Sequence, residues 1–434
     1  MKIAILGQGG REHAIVASLA RSPLVSNLLC APGNAGIADH ATCDSLDITD
    51  CSVVCAWATQ HAPDLIIIGP EAPLAAGVAD ALRQQNHLVF GPSKQAAQLE
   101  TSKTWMKQFC FDHAIPTAQA RLCRTHSQAL LALDSLPSPW VIKADGLAQG
   151  KGVFICPSRA EAINVIDALI KSKSLGAAGT QLVIEQFLPG YEVSAFALSD
   201  GTEWRPLALC CDYKRRDNND KGPQTGGMGA FYHPEIVPHH LSERIAQRVF
   251  SPVFEGLRAR ATPYQGVLYA GLIINPQDDS LSVLEFNARF GDPECQVILP
   301  SLESDFATLA LACAQGTLKE QTITMSGQAC VTVVLCDKNY PEGTLARPYP
   351  LSLPPQPSQP SSPSSPHSVQ TFHASTYASD DNTLYTRGGR VLAVTAQGAT
   401  LAQARKATYA AVERTAWQDA HYRTDIAAQG RLPS

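Results

Sequence analysis

Short apolar runs alternate with helical segments through the first hundred residues. Lys2–Leu6 reads as a buried parallel strand, followed by the turn Gly7-Gln8-Gly9-Gly10 and a helix over Arg11–Ala20. Leu28–Ala31, Asp64–Ile68 and His87–Phe90 repeat the strand pattern; Ser52–Gln60 and Leu74–Gln85 repeat the helical one. The rhythm predicts a small doubly wound domain over residues 1–100. Gly9, Gly10, Asn34 and Glu71 then fall in loops at strand carboxyl ends, where such sheets bind ligands.

Beyond residue 100 the pattern is mixed. Thr101-Ser102 reads as a helix N-terminus, with Trp105, Met106, Phe109 and Cys110 on one core-facing stripe. Trp140–Ala144 is a strand with Lys143 inside it, and a second strand follows the loop Asp145–Gly152. Gln181–Gln186 reads as an edge strand leading into a hinge. Leu268–Asn275 and Leu281–Asn287 form a predicted hairpin, and Phe306–Gln315 a helix. Thr371–Ala374, Arg390–Thr395 and Leu401–Thr415 supply two strands and a helix near the end.

Composition narrows the class. A chain of 434 residues holds about three domains. Its net charge of −5 gives no global basic field, so neither nucleic acid nor an anionic membrane is an expected partner. Thirteen cysteines without zinc spacing suit reduced cytoplasmic thiols. The chain enters a strand directly after Met1-Lys2 and has no long apolar run, so neither a signal peptide nor a membrane span is expected.

The densest candidate chemistry lies in Leu284–Gln296. Period-two alternation puts Glu285, Asn287 and Arg289 on one face and Leu284, Phe286 and Ala288 on the other. The first three read either as the polar outer face of a sheet or as two hard ligands for Mg²⁺ followed by a phosphoryl-stabilising arginine. The Gly7–Gly10 turn lacks the dinucleotide spacing; it is a phosphate loop completed by Arg11, or a tight turn that binds nothing. The loop with Gly150, Lys151 and Gly152 is a lid over phosphates or a surface turn.

Taken together, Lys103, Val141–Gly152, Glu185–Leu188 and Glu285-x-Asn287 resemble the ATP-grasp fold. Arg289–Gln296 is similar to a signature of the phosphoribosylamine–glycine ligase family, and Gly7–His13, Pro32–Gly36, Gly69–Pro73 and Lys221–Gly229 are similar to its other motifs, in order. The resemblance implies an α/β and α+β multidomain chain. A substrate-binding domain would span 1–100, an ATP-grasp domain 101–326 with a lid about 121–190, and a small α+β domain 327–434. It further implies ATP-dependent joining of glycine to 5-phosphoribosylamine through glycyl phosphate, in purine biosynthesis, by a cytoplasmic monomer.

In that reading Glu285 and Asn287 hold Mg²⁺ or Mn²⁺. Lys103, Lys143, Gly150, Lys151, Glu185, Leu188 and Glu192 bind ATP. Arg289, Asp212 and Lys151 act in catalysis. Gly9, Gly10, Arg11, Asn34, Glu71, Asp212, Lys214, Arg289, Asp292, Pro293 and Glu294 meet the substrates. Another ATP-grasp carboxylate–amine ligase with a different acceptor is the alternative; Gly9–His13 favours the glycine ligase. An NAD-dependent oxidoreductase is disfavoured by the missing Gly-x-Gly-x-x-Gly.

Thr101, Cys210-Cys211 and Gln224 stand where the family usually has Gly, Ser-Gln and Asn, beside binding positions. The Pro/Ser-rich stretch 347–368 should be a surface insertion that buries no core.

Overall fold

A computed structural model describes residues 1–146, 152–172, 181–343, 347–353 and 369–428. The first part carries β1 (Lys2–Gly7), α1 (Gly10–Leu19), β2 (Asn27–Pro32), β3 (Thr42–Cys43) and α2 (Cys51–His61). It continues with β4 (Leu65–Ile68), α3 (Glu71–Ala76), α4 (Val78–Gln84) and β5 (Val89–Phe90). The strands form one parallel sheet, ordered β3-β2-β1-β4-β5. Strand β1 is apolar on both faces because both are covered: Ile3 and Ile5 enter one buried cluster, Ala4 and Leu6 another. The single helix expected over Leu74–Gln85 is two. Gly77 lies between α3 and α4 at φ +97°, a left-handed conformation that breaks the run.

Two helices then lead away, α5 (Gln98–Thr101) and α6 (Lys103–Asp112). Ser102 caps α6, its Oγ accepting the Trp105 amide. Met106, Phe109 and Cys110 are buried, as their spacing requires, while Trp105 is only half-buried, stacked on Phe109. Next come β6 (Ala120–Cys123), α7 (His126–Ser135), β7 (Trp140–Ala144), β8 (Val153–Cys156), α8 (Arg159–Ile166) and β9 (Leu182–Gln186). Their antiparallel sheet is ordered β6-β9-β7-β8, so the glycine- and lysine-bearing segment joins two strands of a hairpin. Strand β9 is not the edge strand its sequence suggests. Strand β6 returns to pair along its free side, covering the backbone groups of a run whose Leu182, Val183 and Ile184 are fully buried.

The rest of the chain builds one large sheet. Its strands and neighbours are β10 (Tyr191–Asp200), β11 (Trp204–Asp212), β12 (Arg215–Asp217), β13 (Lys221–Gln224) and β14 (Gly229–Tyr232). Helices α9 (His239–Ile245) and α10 (Ser251–Ala259) precede the hairpin of β15 (Gln265–Ile274) and β16 (Leu281–Asn287). Helices α11 (Cys295–Ser301) and α12 (Phe306–Gln315) lead to β17 (Ala329–Asp337) and β18 (Val369–His373). The last elements are β19 (Thr376–Ala378), β20 (Leu384–Thr386), β21 (Arg390–Gly398), α13 (Leu401–Thr415) and β22 (Ala420–His421). The sheet runs β16-β15-β10-β11-β14-β17-β21-β18, with β22 also on β17. Because β14 pairs directly with β17, the sheet crosses residue 327 without a break.

The Pro/Ser-rich stretch begins differently from its composition. Pro350 bridges to Tyr385, the Leu351 amide donates to the Leu384 carbonyl, and Leu351 is buried in the same apolar cluster as Val391 and Val412. Residues 354–368 lie outside the described residues. A leucine with partners overrides its proline neighbours, so a deletion from Pro350 onward removes core. Leu351→Ala is expected to cost about 2–3 kcal/mol, read as a lower urea midpoint with unchanged slope. A midpoint within error of the parent would put Leu351 outside the core.

Candidate active site

The β15–β16 pairing shifts between Gly271, opposite Glu285, and Leu272, opposite Val283. Leu284 is therefore an extra residue in a bulge, and strict alternation fails there. Val283 and Phe286 enter the core instead of Leu284 and Phe286. Beyond the bulge the expected face holds: Asn287 Nδ2 lies 3.4 Å from Glu285 Oε1. Burial pushes the Glu285 carboxyl up, but the charges of Lys214, Lys143 and Lys103 outweigh it and hold it below its ordinary range. An ionised carboxylate beside an amide oxygen is a hard-cation donor pair.

The phosphate lysines expected from sequence sit around this pair. Lys103 Nζ donates to the Gly146 carbonyl at 3.1 Å. Lys143 is buried in β7, donates to the Leu284 carbonyl at 2.9 Å and pairs with Glu185 Oε2 at 3.1 Å. Glu185, expected beside adenosine, turns its carboxylate onto Lys143 and onto Lys107, 3.2 Å away. Leu188, half-buried, follows β9, and Glu192 reaches Lys214 at 3.1 Å. Gly150 and Lys151 lie outside the described residues.

Arg289 does not pair with Asp212. Its Nη2 meets Glu100 Oε1 at 2.7 Å and its Nε meets Glu71 Oε2 at 3.3 Å. Glu100 Oε2 also accepts the Ala288 amide at 2.7 Å. Burial pushes the Glu100 carboxyl up to about 7 despite Arg289. Glu71 is held at about 2: burial opposes ionisation, and the charges of Arg289 and Arg11 overcome it. Glu100 was invisible in the sequence, standing in Gln98-Leu99-Glu100-Thr101 without any motif.

Asp212 pairs with Lys214 at 2.9 Å. Ser194 Oγ lies 3.2 Å from Asp212 Oδ1, 3.1 Å from the Tyr269 hydroxyl and 3.4 Å from Glu294 Oε1. Burial, then the Asp212 charge, push the Glu294 carboxyl up to about 7. Gly227, at φ +116°, lets its loop lie against Pro293, where a Cβ would collide.

The N-terminal turn is partly self-satisfied. Glu12 Oε2 accepts the Gly9 amide at 2.6 Å, and its Oε1 takes Arg11 Nε at 2.6 Å. Arg11 Nη1 donates to the Phe290 carbonyl at 3.1 Å. A Cβ at Gly10 would meet Gln296, which itself donates to Asp292 Oδ1 at 2.8 Å. Asn34 holds its own turn, accepting from Gly36 and Ile37 and donating to the Gln8 and His373 carbonyls. Arg390, from the start of β21, reaches Asp292 Oδ2 at 3.2 Å and the Gly226 carbonyl at 2.8 Å. From the sequence Arg390 stood out only as the first residue of the strand Arg390–Thr395.

One cavity of about 610 Å³ joins these groups, a size that takes a small-molecule substrate. Lys103, Glu285, Asn287 and Lys214 line one part of it; Arg289, Glu71 and Glu100 another. Arg11, Asp292, Glu294, Asp212 and Arg390 complete it. Lys143 and Glu185 stand behind this wall, while Gly9, Gly10 and Asn34 shape the turn that carries Arg11.

Three family models match the chain in order: Phosphoribosylglycinamide synthetase N domain over residues 1–100, ATP-grasp (A) domain over 101–295 and C domain over 330–429. The chain is 42% identical over 429 residues to a phosphoribosylamine–glycine ligase of Agrobacterium fabrum, covering 99% of this chain and 98% of that one. It is 42% identical over 430 residues to one of Streptomyces coelicolor, covering 99% of each. The crystal structure of a phosphoribosylamine–glycine ligase from Thermotoga maritima superposes with a TM-score of 0.85 at 31% identity, covering 98% of this chain and 100% of that one. A biotin carboxylase–β,γ-ATP complex from Campylobacter jejuni superposes at 0.73 with 12% identity over 99% and 98% of the chains, a likeness of fold alone.

Proposed function

This chain belongs to the phosphoribosylglycinamide synthetase family, and from that we infer that it joins glycine to 5-phosphoribosylamine with conversion of ATP to ADP and phosphate, a step of purine biosynthesis. The observation that carries the residue assignments is the single cavity in which Glu285, Asn287 and Lys103 face Arg289, Asp212 and Arg11.

Glu285 and Asn287 fit a divalent ion, Mg²⁺ or Mn²⁺. Among the described residues no group of three or more acidic, histidine or cysteine side chains could hold a metal. Two protein oxygens therefore suit an ion that takes its other ligands from nucleotide phosphates. Bound there, the ion would neutralise phosphate charge. Lys103 and Lys143 add positive charge at the same end, and Lys151 and Gly150 belong to the segment between β7 and β8. Leu188, Glu192 and the β9 end that carries Glu185 lie on the nucleotide side.

Glycine's carboxylate oxygen attacks the γ-phosphorus, the bond to the β-phosphate oxygen breaks, and ADP leaves. Arg289 faces the carboxylate, while Asp212 and Glu294 suit the glycine ammonium. The amine of phosphoribosylamine then attacks the acyl carbon, phosphate leaves with the bonding pair, and the amine loses a proton. Gly9, Gly10 and Arg11, with Asn34 holding the adjacent turn, suit the acceptor's phosphate. Glu71, Lys214 and Asp292 form the remaining substrate wall, with Pro293 set against the Gly227 loop beside it. No protein nucleophile is needed; the work is positioning and electrostatics.

All three matched regions contribute to the cavity, which supports a monomer as the working unit. All thirteen cysteines are free, which supports a cytoplasmic setting. No helix among the described residues is long and apolar enough to cross a membrane.

Phosphate release is expected only when ATP, glycine, phosphoribosylamine and Mg²⁺ are all present, followed by a coupled ADP assay. Release that continues at full rate without phosphoribosylamine or glycine would overturn the assignment.

A further inference from the structure

Lys107 is a lysine without any exposed side-chain surface, and nothing in the reaction above uses it. It lies on the core side of α6, where a charge is costly unless paired. Its Nζ lies 3.2 Å from Glu185 Oε1 and donates to Thr117 Oγ1 at 2.5 Å. Glu185 Oε2 in turn meets Lys143 at 3.1 Å. Both branches end on the bulge of β16. Lys143 donates to the Leu284 carbonyl at 2.9 Å, and the Thr117 hydroxyl donates to the Val283 carbonyl at 2.7 Å. The residue that follows is Glu285.

One buried glutamate stands between two lysines, so the group keeps a net positive charge while Lys143 stays fixed in direction. Without Lys107, Glu185 would belong to Lys143 alone, and the pair would present no net charge to an anion.

We propose that Lys107 is a positioning residue for nucleotide binding: it shares Glu185 with Lys143, so that Lys143 is held toward the phosphates and keeps its attraction for them. The proposal rests on the reading of Lys143 as a phosphate lysine.

The test uses the full-length enzyme, with ATP as the probe. Lys107→Met is expected to raise KM for ATP about tenfold, with KM for glycine and phosphoribosylamine moved less than about twofold, as loss of one nearby charge predicts. Lys107→Arg keeps a cation beside Glu185 and is expected to hold KM for ATP within about threefold of the parent. A merely structural lysine would move melting temperature in Lys107→Met without this selective effect on ATP. An unchanged KM for ATP in folded Lys107→Met overturns the proposal. So does a folded Lys107→Arg with KM for ATP raised about tenfold, which decides the matter if Lys107→Met does not fold. The parent's turnover with all substrates tests the ligase reading separately, so the positioning role can fail while that reading stands.

Discussion

Replacing Glu285 with alanine is expected to lower turnover about a thousandfold or more, roughly 4 kcal/mol of transition-state stabilisation, while the chain stays folded. Glu285 is the charged member of the proposed donor pair, and three lysines hold it ionised. Removing it leaves Asn287 as a lone neutral donor and Lys103, Lys143 and Lys214 without their common counter-charge. Glu285→Gln keeps the shape and deletes only the charge, so it should fall nearly as far. The deciding measurements are phosphate release at saturating Mg²⁺ and a thermal melt of each variant. Near-parental turnover in either folded variant would remove Glu285 from the metal site and return it to the polar face of a sheet.

Arg289→Met should damage both activity and stability, and the second effect should depend on pH. The guanidinium stands between Glu100 and Glu71, and Glu100 is buried with one further partner, the Ala288 amide. Removing one member of such a buried pair costs about 3–5 kcal/mol. The sign follows from the Glu100 carboxyl, already pushed up to about 7 by burial even with Arg289 present. A carboxyl whose pKa is raised on folding favours the folded state below its unfolded value and loses that advantage as pH rises toward the folded one. Without Arg289 the folded value rises further, so the variant's melting deficit should be larger at pH 8 than at pH 5.5. Glu71, held at about 2 in the parent by Arg289 and Arg11, loses the first of those charges as well and keeps Arg11 beside it. A deficit that stays flat between the two pH values would show that Glu100 is not the group left exposed to charge.

Much of the framework was legible because the apolar spacing is local. Phe306–Gln315 and Leu401–Thr415 are helices with the bounds their periodicity predicts, and the β15–β16 hairpin follows its two apolar runs. The misses share a different origin. One left-handed glycine divides Leu74–Gln85, and one bulged residue displaces Leu284 from the core face. A strand from residues 120–123 covers an edge that the local sequence left open. In the site, Glu285 and Asn287 could be paired from a two-residue spacing. Lys107 and Glu185, or Glu100 and Arg289, meet across 78 and 189 positions of chain, and no spacing rule connects them. Arg390 was hidden similarly, because its role depends on a sheet that brings β21 beside the Gly226–Gly227 loop.

The sheet that crosses residue 327 has a consequence for how this chain can be divided. The matched C-domain region starts at residue 330, yet β17 there is hydrogen-bonded to β14, so a cut between them does not free two finished bodies. It strips a row of backbone donors and acceptors from each new edge, flanked by Phe231 and Val331, both buried in the intact chain. Split halves expressed apart should therefore self-associate, and a fusion partner is better joined at a terminus than at this seam.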